Sequence, residues 1–564
     1  MNKKKIQFKD IAPLVDDGEF YCKWETDLPF KVWVTIEGDN PHAKIQLKFR
    51  RKGEKLWIEQ VMQPIKEHRF EGVIKVDEVG LYEYTFSVVE DGDELIHNRI
   101  FEVYFDRPRA RYAAWYEMWP RSQGTIPGKS ATFDDMINRL PYVHDLGFDT
   151  IYLAPHYPVG HTNKKGPNNS LQAGPDDPGS LYSIGNEHGG HTAVNPDFGT
   201  MEDFHRFIKE AAKFGIELAI DIVFTCSPDH PWIKQHPEWF YHNPDGSIKC
   251  AENPPKKYED VHPLNFECDN KELLWNELRD IFLHWIDQGI RTFRVDNPHT
   301  KPVEFWQWVI QEIHAKDPGA ILLAEAFTEP KMMKLLAKVG FTQSYTYFTW
   351  RYNKHDFTEY ITELTMTDMQ YYFRGNFFTN TPDILMPLLH EAGKPAFKQR
   401  ILLASTLSSV YGMYNGYELC ENKAIPGTEE YMNSEKYEHK VWDWDRPGNI
   451  KSYIKRLNQI RKENKALHYY RNLSFYESSD DNVLFYGKTS YDEQNTVLVT
   501  VNMDAYNEHQ SVLQLPLEKF GLDQHEEYTI TELLSGNSFT HTRRELKITL
   551  PHEDPAWIFV LQKK

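Results

Sequence analysis

Hydrophobic positions in this chain change their spacing twice. Over about the first hundred residues apolar and polar positions alternate singly, as in Lys31–Ile36, Lys44–Phe49 and Leu81–Val88, and period two predicts half-buried β-strands. Turn signals at Gly38–Pro41, Lys52–Gly53 and Asp91–Asp93 part them, so residues 1–106 read as an immunoglobulin-like β-sandwich. Beyond Arg107–Arg111, short and densely apolar runs alternate with stretches of helical period. Tyr112–Met118, Thr150–Ala154, Glu217–Val223, Arg291–Asp296, Ala320–Glu325, Gln343–Phe348, Tyr371–Phe377 and Ser409–Tyr414 are the predicted strands. Helices are predicted from near Phe133, Met201, Pro302 and Pro330. Eight such units describe an α/β fold, a (β/α)8 TIM barrel over residues 107–469. The Pro-, Gly- and Asn-rich stretch 225–269 lacks helical period and reads as a lid inserted after the third strand. Alternation returns in Asn482–Gly487, Thr496–Asn502, Glu527–Glu532 and Ala556–Leu561, predicting a second β-sandwich over 470–564.

Composition narrows the classes. The chain has 564 residues, 40% hydrophobic and 26% charged, which suits a soluble multidomain protein. A formal charge of −19 opposes nucleic acid and anionic membranes as partners. The basic N-terminus has no apolar core, and no run approaches membrane-spanning length, so a cytoplasmic protein is expected. Cys22, Cys226, Cys250, Cys268 and Cys420 are odd in number and lack CxxC spacing, which predicts free thiols and no zinc site. Fifteen Trp and 31 Tyr provide core packing first, and faces for sugar rings beyond that.

The fourth predicted strand ends in chemistry. Side chains alternate along it, so Arg294 and Asp296 share a face, and Pro298 stops further pairing. Asp296 therefore sits at the strand's carboxyl end, where (β/α)8 barrels carry their catalytic groups. Glu325 ends the fifth strand in the same way, and Asp383 follows the seventh. Any one of these could be a solvated loop acid. Three at strand ends of one barrel suit glycosidic chemistry: a nucleophile, a carboxyl kept protonated as acid, and a third acid that stabilises the oxocarbenium-like state.

With Asp221 in Ile220–Ile222, Arg294–Asp296, Ala324–Ala326, Asp383 and Gly416–Glu418 in this order, the chain resembles the α-amylase family of glycosidases and transglycosidases. The resemblance implies that Asp296 is the nucleophile, Glu325 the general acid/base and Asp383 the transition-state carboxylate. Arg294 would orient the nucleophile, and Asp221 would be structural. Two departures stand out. Thr225-Cys226 replaces the family's Asn-His, and Pro382 stands where its last histidine would be. Their loss argues against an ordinary amylase and its calcium site. In their place the lid carries Lys256 and Lys257, which are either solvated lysines or anion holders.

Cys226–Trp232, His236–Trp239, Asn253–Tyr258, Phe293–Pro302 and Gly340–Trp350 give a closer match. They resemble the maltosyltransferases that extend α-1,4-glucans from α-maltose 1-phosphate. That resemblance implies donor binding by Lys165, Asp260, Asn297, Lys436 and Tyr437, with Asn253, Lys256 and Tyr258 beside the phosphate. It implies a glucan or maltooligosaccharide acceptor, phosphate as co-product, no cofactor and no metal. Thr225 stands where those enzymes carry a donor-binding Gln, and Tyr157 where they carry His. The helical segment they use in dimer contacts is missing here, so a homodimer is only a possible state. The competing readings are an α-glucan hydrolase, a phosphate-independent 4-α-glucanotransferase and a non-catalytic carbohydrate-binding protein.

Overall fold

A computed structural model describes residues 6–38, 44–90, 93–253 and 256–564, with the side chains of Asn253 and Lys256 outside the described set. The first hundred or so residues form two facing sheets. One orders its strands Gln7–Ala12, Phe30–Glu37, Arg69–Ile74 and Gln63–Lys66. The other centres on Gly80–Glu90, flanked by Lys44–Arg51 and Phe101–Asp106. Inward residues at period two, among them Val32, Val34, Leu47, Tyr84 and Phe86, are buried between them.

Eight parallel strands follow: β1 (Ala113–Met118), β2 (Thr150–Leu153), β3 (Glu217–Ile222), β4 (Thr292–Val295), β5 (Ile321–Ala324), β6 (Gln343–Ser344), β7 (Asn376–Phe378) and β8 (Val410–Tyr414). Each pairs with its neighbour in turn, β1 pairs with β8, and a parallel bridge between Ser344 and Gly375 joins β6 to β7. The sheet thus closes into a barrel. Its strands are wholly buried in β1, β2, β4 and β5. Helices cover one face and packed side chains the other, so these strands read as densely apolar runs, broken in β1 by Glu117 and in β4 by Arg294.

Helices α1 (Phe133–Asp145) and α2 (Met201–Lys213) each start at a capping box, Thr132 with Asp135 and Thr200 with Asp203. Helix α3 (Lys271–Asp287) lies outside the expected set. It buries Leu274, Leu278, Ile281, Phe282 and Trp285, a helical stripe. Two strands are shorter than expected. The β6 run turns into a 3-10 helix at Tyr347–Trp350, and Asp368–Tyr371 is a 3-10 turn ahead of β7. Between them β-prone aromatics pack elsewhere: Tyr371 stacks on Trp24 of the N-terminal sheets and Phe348 on Phe377.

The segment after β3 holds two short helical turns, Trp232–Gln235 and Pro237–Trp239, and a hairpin pairing Ala251–Asn253 with Lys256–Tyr258. It is tied down where Thr225–Cys226 pairs with His262–Pro263. After helix α4 (Lys451–Glu463), a six-stranded and a two-stranded sheet close the chain, with Phe485, Leu498, Ile530 and Phe559 between them. No helix of the described residues is long and apolar enough to cross a membrane, and all five cysteines are free thiols.

Candidate active site

The barrel ladder carries the site. The Asp296 amide donates to the Ile222 carbonyl at 2.9 Å, and the Glu325 amide donates to the Val295 carbonyl at 3.0 Å. Both acids are thus held in register at the carboxyl ends of β4 and β5. Arg294, buried in the barrel mouth, joins them. Its Nη1 lies 2.9 Å from Asp296 Oδ1 and 2.9 Å from both Asp221 oxygens, and its Nη2 lies 3.0 Å from Glu325 Oε1. One planar fork serves three carboxylates, which a lysine point charge could not do. Tyr152 donates to Asp221 Oδ2 at 2.6 Å, and Tyr157 donates to the Asp221 carbonyl at 2.6 Å.

Immediately after Asp296 the chain enters the left-handed region at Asn297 (φ 42°, ψ 51°), before the turn Pro298–Thr300. This conformation is uncommon for residues other than glycine, though Asn tolerates it best. It directs the Asn297 backbone N–H to Glu325 Oε2 (3.2 Å) and its side-chain amide to Asp296 Oδ2 (3.2 Å). Burial pushes the Glu325 carboxyl up to about 7. Arg294 opposes that rise and the Asp296 charge adds to it. Asp221 is likewise raised by burial, to about 6, against the pull of Arg294.

Asp383 lies across the mouth and pairs with Lys436 Nζ at 2.9 and 3.0 Å. A cavity of about 920 Å³ opens over these groups, and Asp260, Tyr258, Tyr437 and Thr225 also line it. Asp296, Glu325, Asp383, Arg294, Asn297, Asp260, Lys436, Tyr437 and Tyr258 are therefore together. Lys165 is not in that lining. It is buried and ion-paired with Glu259. The side chains of Asn253 and Lys256 lie outside the described residues. Lys257, on the same hairpin, lines the cavity.

Thr225 is held from behind. Its carbonyl is bonded to His191 Nε2 (3.1 Å), and His191 Nδ1 to His230 Nε2 (3.2 Å). The Trp232 amide donates to His230 Nδ1 at 3.1 Å. His191, Cys226 and His230 bring ligand atoms within 4.8 Å of one another, but their hydrogen bonds oppose a resident metal. A neutral His230 that accepts at Nδ1 carries its proton on Nε2, where it faces His191 Nδ1, so neither ring nitrogen is left free for an ion. Burial also pushes the Cys226 thiol far above its usual range.

Sequence reasoning left three contributors unassigned. Tyr152 and Tyr157 are ordinary strand and loop aromatics until Asp221 is seen beside them. Lys301 was inside a quoted motif, yet its contacts with the Asp296 and Asn297 carbonyls depend on the turn.

A closed (β/α)8 barrel with paired acids on β4 and β5 places this chain with the α-amylase-type barrels. The fold matches an alpha-amylase from Lactobacillus plantarum (TM-score 0.61, 20% identity, covering 80% of this chain and 99% of that one). It also matches a cyclomaltodextrinase (TM-score 0.63, 16% identity, covering 98% and 99%). A family model for the alpha amylase catalytic domain matches residues 118–265. Models described as "Alpha-1,4-glucan:maltose-1-phosphate maltosyltransferase, domain N/S" and "GLGE, C-terminal" match residues 4–92 and 475–561. The alpha-1,4-glucan:maltose-1-phosphate maltosyltransferase of Rhodospirillum rubrum is 53% identical over 458 residues, 81% of this chain and 67% of that protein. The Myxococcus xanthus enzyme of the same name is 50% identical over 467 residues, 83% and 70% of the two chains. The chain belongs to the alpha-1,4-glucan:maltose-1-phosphate maltosyltransferase family.

Proposed function

We propose that the chain moves a maltosyl unit from α-maltose 1-phosphate to the non-reducing end of an α-1,4-glucan with retention, and runs backwards as phosphorolysis. The donor and acceptor follow its relatives' activity. The observation that carries the chemistry is the pairing of Asp296 and Glu325 on one guanidinium, with burial holding Glu325 up to about 7. Two acids bridged this closely suit the short separation used by retaining enzymes.

An Asp296 oxygen attacks the anomeric carbon. The bond from that carbon to the phosphate oxygen breaks, and phosphate leaves with the electron pair and a proton from Glu325. Asp296 is then an ester and has lost its charge, which lowers the Glu325 pKa and fits it to act as base. It takes the proton of the acceptor 4-OH as that oxygen displaces Asp296. Asp383 serves the oxocarbenium-like state once a sugar competes with Lys436 for it. Asp260, Lys436 and Tyr437 would hold the maltosyl unit, Asn297 and Tyr258 the phosphate side, with Asn253 and Lys256 on the same hairpin. A contact from Lys165 requires it to leave Glu259.

The free thiols support a reducing, cytoplasmic setting, and sedimentation would settle whether a homodimer forms. Incubation with maltoheptaose and phosphate tests the reaction. Disaccharide phosphate should accumulate only when phosphate is present. Glucose or mixed oligosaccharides formed regardless of phosphate would replace this reading with a hydrolase or 4-α-glucanotransferase.

A further inference from the structure

Lys301 has no part in the roles above. It follows the turn Pro298–Thr300, lines the cavity and is half-buried. Among the described residues its hydrogen-bond partners are two backbone carbonyls: Nζ donates to Asp296 O at 3.3 Å and to Asn297 O at 3.1 Å. The Asn297 carbonyl also accepts from the Thr300 hydroxyl at 2.8 Å and the Thr300 amide at 3.1 Å. The left-handed residue that aims an amide at each catalytic acid is thus closed from below by its own turn and by an ammonium.

The charges point the same way. Burial lowers the Lys301 pKa, and the Asp296 and Glu325 charges push it back up, so the ammonium and the two acids share one field. Arg294 contacts the acids from inside the barrel, and Lys301 sits in the cavity wall against the backbone of Asp296 and Asn297. With Glu325 protonated, Arg294 and Lys301 balance Asp221 and Asp296. Without Lys301 the cluster would carry a net negative charge in a poorly solvated site, which pushes the Glu325 carboxyl further up and hinders its turn as base.

We propose that Lys301 is a positioning residue: its ammonium clamps the Asp296–Asn297 peptide in the left-handed turn and supplies the second fixed positive charge near the Asp296–Glu325 pair. This rests on the maltosyl-transfer reading and goes beyond it. Lys301 acts through Asp296 and Asn297, so the leaving group should not matter.

Three variants separate the contributions. Lys301→Met keeps the length and removes charge and donors, Lys301→Gln keeps a donor, and Lys301→Arg keeps the charge. Formation of the Asp296 adduct from α-maltosyl fluoride is timed by mass spectrometry, and maltoheptaose phosphorolysis is followed across pH. K301M should slow both by about 100-fold, the scale of a misplaced reacting group. KM should stay within about threefold of wild type. The limb set by Glu325 should move upward, because removing a nearby cation raises the Glu325 pKa. K301R should return that limb towards wild type, and K301Q should not.

An unimpaired adduct rate in K301M overturns the proposal. So does a loss confined to phosphate reactions, which would make Lys301 a phosphate contact, or a loss with the Glu325 limb unmoved, which would leave only a folding role. If the wild-type chain itself forms no adduct and no disaccharide phosphate, the transfer reading falls and takes this inference with it. A normal wild type beside an unimpaired K301M removes the inference alone.

Discussion

At the scale of single residues the site is an exercise in keeping several acids close without protonating the wrong one. Arg294 contacts Asp221, Asp296 and Glu325 together, so its planarity matters as much as its charge. Arg294→Lys should cut phosphorolysis by about two or more powers of ten, since an ammonium cannot reproduce the fork. Steady-state kinetics with an unchanged circular-dichroism spectrum would check it. Removing Asp296 or Glu325 should cost several powers of ten each, on the order of 4 kcal/mol of barrier or more. The pH dependence has a definite sign. A carboxyl raised to about 7 keeps its proton up to that pH, so kcat/KM for the phosphate donor should fall as pH rises through about 7. A profile flat from pH 6 to 9 would remove Glu325 as the acid.

At the scale of elements, the loop after β2 and the segment after β3 are locked together around one imidazole. A Cβ at Gly190 would meet His230 Nε2 at 2.2 Å, and one at Gly185 (φ +105°) would meet His230 Cδ2 at 2.2 Å. Both glycines are needed for close approach to a buried ring whose hydrogen bonds run through His191 to the Thr225 carbonyl on the cavity wall. Gly190→Ala should therefore cost about 1–3 kcal/mol of stability by overpacking. It should also raise the donor KM more than it lowers kcat, because the disturbance reaches the sugar pocket and not the acids. Urea titrations read the first effect and initial rates the second. The sequence marked these stretches as loop and lid by their Pro, Gly and Asn content, but it could not say that His191 and His230 would meet. They lie 39 residues apart.

At the scale of the molecule, one acid ties the three parts together. Glu25, from the N-terminal sheets, is fully buried. It pairs with Arg374 ahead of β7 at 2.8 Å and with Arg471, beyond α4, at 3.2 Å, and it lies 3.7 Å from Arg111 ahead of β1. Burial alone would raise its pKa, but the three guanidiniums of Arg471, Arg374 and Arg111 hold it down to about 2. Glu25→Ala would take away the carboxylate of buried Arg471, while Arg374 keeps Asp106 and Arg111 keeps Asp27, and should cost about 3–5 kcal/mol, read as a lower melting temperature. Because the folded pKa is depressed, the contribution is present above the unfolded value of 4.5 and is lost as pH falls towards about 2. Melting temperatures should diverge between wild type and variant above that window and converge below it.

Much of this protein follows from local pattern. Period two marked the outer sheets, buried apolar runs marked the barrel strands, and Pro298 placed Asp296 at a strand end, because backbone geometry alone determines which residues face inward and where pairing stops. Motif resemblance named the acids and the donor-binding groups in the cavity's lining, but not the rest of it. Only the folded chain decided what those residues touch. Lys165 is turned to Glu259, Asp383 to Lys436, and Lys301 to the peptide beside the nucleophile. The runs through Tyr347 and Tyr371 gave up strand structure to pack aromatics across the fold. The reason is physical: an ion pair or a ring contact depends on distance in space, and sequence spacing fixes that distance only within a single helix, strand or turn.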